Sequence, residues 1–231
     1  AVLCLNPNDA PCLAQQFPKL AIYPLPPFID FQQLSAQPAK SKAQLSTRWN
    51  LNPNLPWLIT VAMMRPGDKT HSYRLLADAL INADCREFQL LLIGDGESRP
   101  LIESYFSPIP QVCFLGKLAS EEIFPLLCAS DLYLWPAVNE AFGLALLEAQ
   151  AAGTAILSGN EGGVSSIVAE GRSAELSAPR DAAEFSKKLQ QLLATPEKLK
   201  AMGAAGREHV INRHSLEQAA GRLKQILEPL L

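Results

Sequence analysis

The chain has 231 residues, 48% of them hydrophobic and 19% charged, an ordinary globular composition long enough to bury a sizeable core in one large domain or two small ones. Its formal net charge of −3 argues against a sequence-independent nucleic-acid partner and against a polybasic membrane binder, although a local basic site is compatible with it. No apolar run reaches the roughly 18 residues of a membrane-spanning helix, and no signal-peptide pattern opens the chain. The first residue is Ala1 rather than Met, so a piece of a longer protein is expected. The five cysteines (Cys4, Cys12, Cys85, Cys113 and Cys128) are odd in number and form no CxxC pair. They are expected to be buried free thiols of a cytoplasmic protein, with peripheral membrane attachment left open for the full-length protein.

In chain order, AVLCL (1–5) reads as a strand, a Pro- and Asp-started stretch as a helix, and LAIYPL (20–25) as a second strand. Residues 24–45 are polar and punctuated by proline, and read as a connector. WLITVAM (57–63) is apolar on both faces, as a strand covered on both sides should be. Over residues 72–83, Tyr73, Leu76 and Leu80 recur at helical spacing. FQLLLIG (88–94), QVCFLG (111–116), DLYLWP (131–136) and TAILSG (154–159) are further buried strands, with a weaker one around 174–176. Ser120 ahead of Glu121 and Glu122 marks a helix start, and another helix is expected over 141–152, beginning near Phe142 and Gly143. The remainder reads as helical. Asp181 with Glu184 and Ser215 with Gln218 have capping-box spacing, and Thr195 stands ahead of Pro196 as a cap.

Continuous apolar strands alternating with helices indicate an α/β fold, a Rossmann-like parallel sheet with helices on both faces. Such sheets bind ligands beyond the carboxyl ends of their strands, where the turns 63–69, 94–96, 116–117, 136–143 and 159–163 all fall. A nicotinamide fingerprint fails, because Arg99 stands where the third glycine after Gly94 and Gly96 should be and no acidic residue follows near 113–118. The chain contains neither GxxxxGK[ST] nor G-x-S-x-G. His71, His209 and His214 lack metal-ligand spacing and read as surface or capping residues; no metal site is expected.

Residues 139–153, NEAFGLALLEAQAAG, carry more information. The helix here starts just after a strand end, so its first-turn amides face the place where an anion is stabilised. Gly143 leaves room for a ligand to approach the backbone. Glu140 precedes the helix, where a carboxylate can also serve the helix dipole. Glu148 lies inside a helix apolar nearly all round, where an unpaired carboxylate is costly. Its partners are either protein groups or ligand hydroxyls. From Gly143 to Glu148 is about 7.5 Å along the axis, roughly the reach from a diphosphate to its ribose.

The run DLYLWPAVNEAFGLALLEAQAAGTAILSGNEGGV resembles family 4 glycosyltransferases of the GT-B fold. Those enzymes carry a strand ending in Pro, then E-x-F/Y-G-x-x-x-x-E-A, an A-x-G turn, a strand and a Gly-Gly turn. ITVAMMRPGDK, FQLLLIGDGE and FLGKLASEEIFPLLCASDLYLWP resemble the rest of the family's nucleotide-sugar domain. PLPPFID resembles its interdomain connector and RHSLEQAAGRLKQIL its closing helix, so the likeness covers most of the chain.

The resemblance implies the C-terminal half of a GT-B enzyme. Residues 1–50 would be the tail of an N-terminal acceptor domain plus the connector, and 51–231 the Rossmann-like donor domain with its closing helix. The implied reaction is transfer, with retention, of a hexose-type sugar from a nucleotide diphosphate sugar to an acceptor. No cofactor or divalent cation is implied, and the chain has no Asp-x-Asp triplet. By motif position, Glu140 would lie near the donor sugar, and Arg65 and Lys69 would neutralise the departing diphosphate. Phe142, Gly143 and Leu144 would hold sugar or phosphate oxygens, Glu148 the ribose, and Gly116 and Lys117 would lie in the region that contacts the base. The family usually has Gly-Arg in the first loop with Lys five residues after the Arg; here Ala62, Met63 and Met64 precede Arg65, and Lys69 follows by four. Ser165 and Ser166 stand where Pro-Glu is usual. An acceptor sugar or lipid would be bound mainly by the N-terminal domain, so this piece alone is expected to bind nucleotide without transferring sugar. The alternative expectation is a non-catalytic nucleotide-binding or interaction domain on a degenerate site; an epimerase of the same fold matches these residues less well.

Overall fold

The first two apolar runs pair as a parallel two-stranded sheet, β1 (Val2–Cys4) and β2 (Ile22–Pro24), connected through helix α1 (Ala10–Gln16). The computed structural model describes residues 1–36, 40–85 and 87–230; residues 37–39 of the expected connector lie outside the described residues. The described part of that connector is not wholly irregular. It contains α2 (Phe31–Ser35) and α3 (Lys42–Trp49), which the proline-rich sequence concealed. A signal for α3 was present as Ser41-x-x-Gln44: Ser41 Oγ accepts from the Gln44 amide at 3.2 Å, and the Ser41 amide donates to Gln44 Oε1 at 2.9 Å. Leu45 of α3 is 2% exposed and joins the main core.

The main sheet is six-stranded and parallel throughout, in the order β5-β4-β3-β6-β7-β8. Its strands are β3 (Trp57–Val61), β4 (Gln89–Ile93), β5 (Val112–Gly116), β6 (Leu132–Trp135), β7 (Ala155–Gly159) and β8 (Ala174–Ser177). On one face α4 (Asp68–Asn82) packs against α5 (Arg99–Phe106) and α8 (Ala182–Leu193). On the other, α7 (Leu144–Ala152) packs against α6 (Ser120–Ala129) and α9 (Pro196–Arg213). Leu58, Ile59, Leu91, Leu134 and Ile156 are fully buried in the sheet, which explains why those strands are apolar on both faces. Tyr73 of α4 meets Trp135 of β6 edge to face, with ring centroids 5.3 Å apart. The chain runs outward from β3 to β5, then returns to β6 on the other side of β3. The order reverses between β3 and β6, which opens a crevice at their carboxyl ends.

Several helix ends differ from the sequence expectations. The helix seen over 72–83 begins one turn earlier, at Asp68. The helix expected from residue 141 begins at Leu144, because Ala137, Asn139 and Gly143 are in left-handed conformations that hold the preceding segment as a loop. Ser120 is the first helical residue of α6, and Ala119 takes the cap position. Asp181 caps α8 through the Glu184 amide at 2.8 Å, but the Glu184 carboxylate accepts from Ala178 instead of closing the box. Ser215 Oγ accepts from Gln218 at the start of α10 (Leu216–Leu227). Thr195 does not cap with its side chain: its hydroxyl donates back to Gln191 O. The cysteines form no disulfide among the described residues, but only Cys4 is buried; Cys12 and Cys128 are exposed, contrary to the expectation of buried thiols. No helix among the described residues is long and apolar enough to cross a membrane.

His71 is exposed, whereas His214, at the α9 C-cap, is buried and its Nδ1 lies 2.8 Å from Pro27 O. The ring of His209 is 5.1 Å from that of His214, and its Nε2 is buried without a hydrogen-bond partner among the described residues. Burial, with the neighbouring His214 second, lowers the His209 pKa to about 4. Burial also lowers that of His214. An unfolded histidine protonates near 6.5, so the unfolded chain gains protons first as pH falls, and stability drops from about pH 6.5 down to about 4. Urea unfolding at pH 7.5 and pH 5 should show a loss of about 1–2 kcal/mol, discounted for the half-exposed ring, and His209→Asn should flatten it. An unchanged slope with pH in His209→Asn would contradict this assignment.

Candidate nucleotide-sugar site

The crevice between β3 and β6 holds a pocket of about 260 Å³. Its walls come from three chain segments: Val61, Ala62, Met63 and Lys69 at and after the end of β3, Tyr133 and Trp135 of β6, and residues 140–146 leading into and opening α7. Gly143, at φ 71° and ψ 46°, turns the chain into α7. The Leu144 and Ala145 amides of the first turn have no partner among the described residues, while those of Leu146 and Leu147 return to Gly143 O. Two free donors and the positive end of the helix dipole thus face the crevice.

Glu140 and Lys69, 71 positions apart, meet here: Lys69 Nζ lies 2.6 Å from Glu140 Oε2. The indole of Trp135 donates Nε1–H to the same oxygen at 2.8 Å, and the ammonium sits 5.0 Å from the ring centroid. The preceding loop is fastened to the start of α4. The Val138 amide donates to Ser72 Oγ at 3.0 Å, and Asn139 Nδ2 donates to Asp68 Oδ2 at 3.0 Å. On its other side is the turn after β7, where the Gly163 amide donates to Glu140 O at 2.8 Å.

Glu148 is half-buried on α7, one turn beyond Leu144, with no hydrogen bond or ion pair to a described residue. Burial raises its carboxyl pKa. Its charge reaches the hydroxyl of Tyr133, a pocket residue whose own pKa burial raises well above the usual value. Of the two kinds of partner open to Glu148, the described protein supplies none.

The other sequence candidates divide. Phe142, Gly143 and Leu144 line the pocket, with Leu144 51% exposed at its rim. Arg65 does not line it; its side chain is exposed and has no ion pair among the described residues, and its carbonyl accepts from Thr70 Oγ1. Gly116 ends β5 and Lys117 follows it, two strands away from β3 and therefore about 10 Å from the crevice. The glycines of the 94–96 turn have a packing role: a Cβ on Gly94 would meet Ala62 O at 1.9 Å, and one on Gly96 would meet Met64 O at 2.3 Å. They let the turn close against the loop after β3. The pairing of Lys69 with Glu140 was not legible in sequence, nor were Asp68, Ser72 and Asn139, whose contacts join distant loops.

The family model described as glycosyl transferases group 1 matches residues 41–209. A mannosyltransferase of Corynebacterium glutamicum, described as GDP-mannose-dependent and acting on a monoacylated phosphatidylinositol monomannoside, is 35% identical over 150 residues, 61% of this chain and 39% of that protein. The 2-deoxystreptamine glucosyltransferase of Streptomyces kanamyceticus is 31% identical over 139 residues, 59% of this chain and 36% of its own length. The chain therefore spans well under half of these relatives. Sucrose-phosphate synthase from Thermosynechococcus elongatus superposes with a TM-score of 0.83 at 23% identity, over 99% of this chain and 58% of that one. Anabaena HepE in complex with UDP-glucose superposes with a TM-score of 0.79 at 19% identity, over 99% and 63%. These structures carry the same fold, the parallel Rossmann-like C-terminal half of a GT-B architecture, and the chain belongs to the group 1 glycosyl transferases.

Proposed function

We propose that the crevice binds the nucleoside diphosphate of a sugar donor, and that the chain is the donor half of a retaining, family 4-type transferase moving a hexose-type sugar to an acceptor. The observation that carries this reading is Glu148: a partly buried carboxylate without a hydrogen-bond or ion-pair partner among the described residues, one turn beyond two amides that also lack one there, at the sheet's switch point. A ribose offers hydroxyl donors to that carboxylate, and a diphosphate offers oxygens to the Leu144 and Ala145 amides. As the glycosidic bond breaks, negative charge grows on the departing diphosphate. The helix start and Lys69 would stabilise it, in this reading without a metal ion. Lys69 would exchange its pairing with Glu140 for the phosphate, freeing Glu140 to orient donor-sugar hydroxyls. Gly116 and Lys117 would lie toward the base. The relatives support a nucleotide-sugar donor in kind; one is named for GDP-mannose and one structure contains UDP-glucose, so the base is left open.

Residues 1–50 are assigned in this reading to the tail of an acceptor-binding domain and its connector, and the acceptor to the remainder of that domain. The reaction would be cytoplasmic. Thermal unfolding with UDP, GDP and ADP tests the reading. At a hundredfold excess over Kd, one of them should add about 2.7 kcal/mol, raising Tm by about 5–10 °C. No shift with any of the three would sink it. A second reading, a nucleotide-binding domain without catalysis, is favoured by two observations: the pocket's lysine is already paired with Glu140, and Arg65 lies outside. It predicts the same thermal shift but no transfer by the full-length protein.

A further inference from the structure

The turn that follows β1 reaches the loop carrying Glu140. Asn6 is 7% exposed, and its Nδ2 donates to Ala141 O at 3.1 Å while its Oδ1 accepts the Asn8 amide at 3.0 Å. Asn8 Nδ2 in turn donates to Gly162 O at 2.7 Å. Gly163 N donates to Glu140 O. The carbonyls of Glu140, Ala141 and Gly162 are thus each held by a donor. Two of those donors are side chains 135 and 154 positions upstream of the carbonyls they hold. Just ahead, Ala137 and Asn139 have φ of 57° and 47°, conformations that persist only where the surroundings over-determine them. The start of α4 secures one side of this loop through Ser72, Asp68 and Lys69. Asn6 and Asn8 secure the other.

We propose that Asn6 and Asn8 are positioning residues for Glu140, which makes the turn after β1 a working part of the donor-sugar site. The assignment rests on the reading of Glu140 as the donor-sugar contact. Its geometric content is independent of any ligand, because the Trp135 indole N–H bonds to Glu140 and reports where that carboxylate lies.

The test is the indole region of a ¹H–¹⁵N spectrum, which holds three tryptophan signals. Trp135→Phe assigns the Trp135 signal. Trp57, whose Nε1 donates to Asn52 O, serves as the internal reference for an intact fold. Asn6→Asp keeps the shape but loses the donor, and Asn8→Leu loses the donor at an exposed position. Both should shift and broaden the Trp135 signal and leave that of Trp57 in place. Asn8→Gln, which can still reach Gly162 O, should restore it. In calorimetry, the two donor-less variants should bind UDP and GDP within about twofold of the parent, while the added affinity for UDP-glucose or GDP-mannose falls about five- to tenfold. A Trp135 signal unmoved in both variants overturns the proposal. A parent chain that binds none of these nucleotides overturns the functional reading instead, and the indole signal still decides whether Asn6 and Asn8 hold Glu140.

Discussion

Gly162→Ala is expected to destabilise the chain by about 2–4 kcal/mol and to lower Tm by about 5–15 °C. A Cβ at this position would stand 1.9 Å from Glu140 O and 2.7 Å from its carbon, and the backbone φ is +68°. The left-handed conformation alone costs an alanine about 1 kcal/mol. The remainder comes from forcing two backbone segments apart where no flexible side chain can yield. The displaced segment is the one that carries Glu140, so binding of a nucleotide sugar should weaken as well. Gly171→Ala supplies the control. It has φ +73° with nothing within 4 Å of the added Cβ, and should lose only the conformational part. Equal losses in the two variants, measured by chemical unfolding, would show that the Gly162–Glu140 contact contributes nothing.

Replacing Glu148 with Gln should move two quantities in opposite directions. Nucleoside diphosphate affinity should fall about 10- to 100-fold, because a charged acceptor for ribose hydroxyls becomes a neutral one. The unliganded chain should become more stable at pH 7, by about 0.5–2 kcal/mol, as often follows when a strained functional group is removed. The sign follows from burial, which raises the carboxyl pKa in the folded chain above its unfolded value. The ionised side chain therefore opposes folding. That penalty is complete above the raised folded pKa, and it disappears as pH falls below the ordinary carboxylate value near 4.3. The stabilisation in Glu148→Gln should accordingly fade toward pH 4. Stability and affinity falling together at pH 7 would mean that Glu148 has a structural role.

Most of the sheet was legible because each inner strand is covered on both faces and leaves a run apolar on both faces, nearly continuous in WLITV and unbroken in LLLI. The order of those strands was legible only as a class, since a parallel α/β pattern does not state which strand lies beside β3. Helix α3 was hidden by the prolines and polar residues around it, although its capping box was intact. The start of α7 lies later than residue 141, where the sequence places it because Ala141 and Phe142 are as apolar as the helix that follows; the boundary is set by the left-handed backbone at Gly143. At the site, Glu148 could be singled out because a carboxylate within an apolar helix is locally inconsistent. Glu140 could be placed just ahead of α7, but its pairing with Lys69 and the support of its loop from Asn6, Asn8 and Ser72 depend on segments that meet only in the folded chain. Arg65 has the residue type expected of a phosphate contact, yet its side chain lies outside the pocket.

A crystal structure of the chain with UDP or GDP, whichever gives the larger thermal shift, tests the central claim most directly. Ribose hydroxyls should lie within hydrogen-bonding distance of the Glu148 carboxylate, with diphosphate oxygens on the Leu144 and Ala145 amides and Lys69 drawn from Glu140 toward them. A nucleotide bound elsewhere on the chain, with Glu148 still unpartnered, would contradict the account.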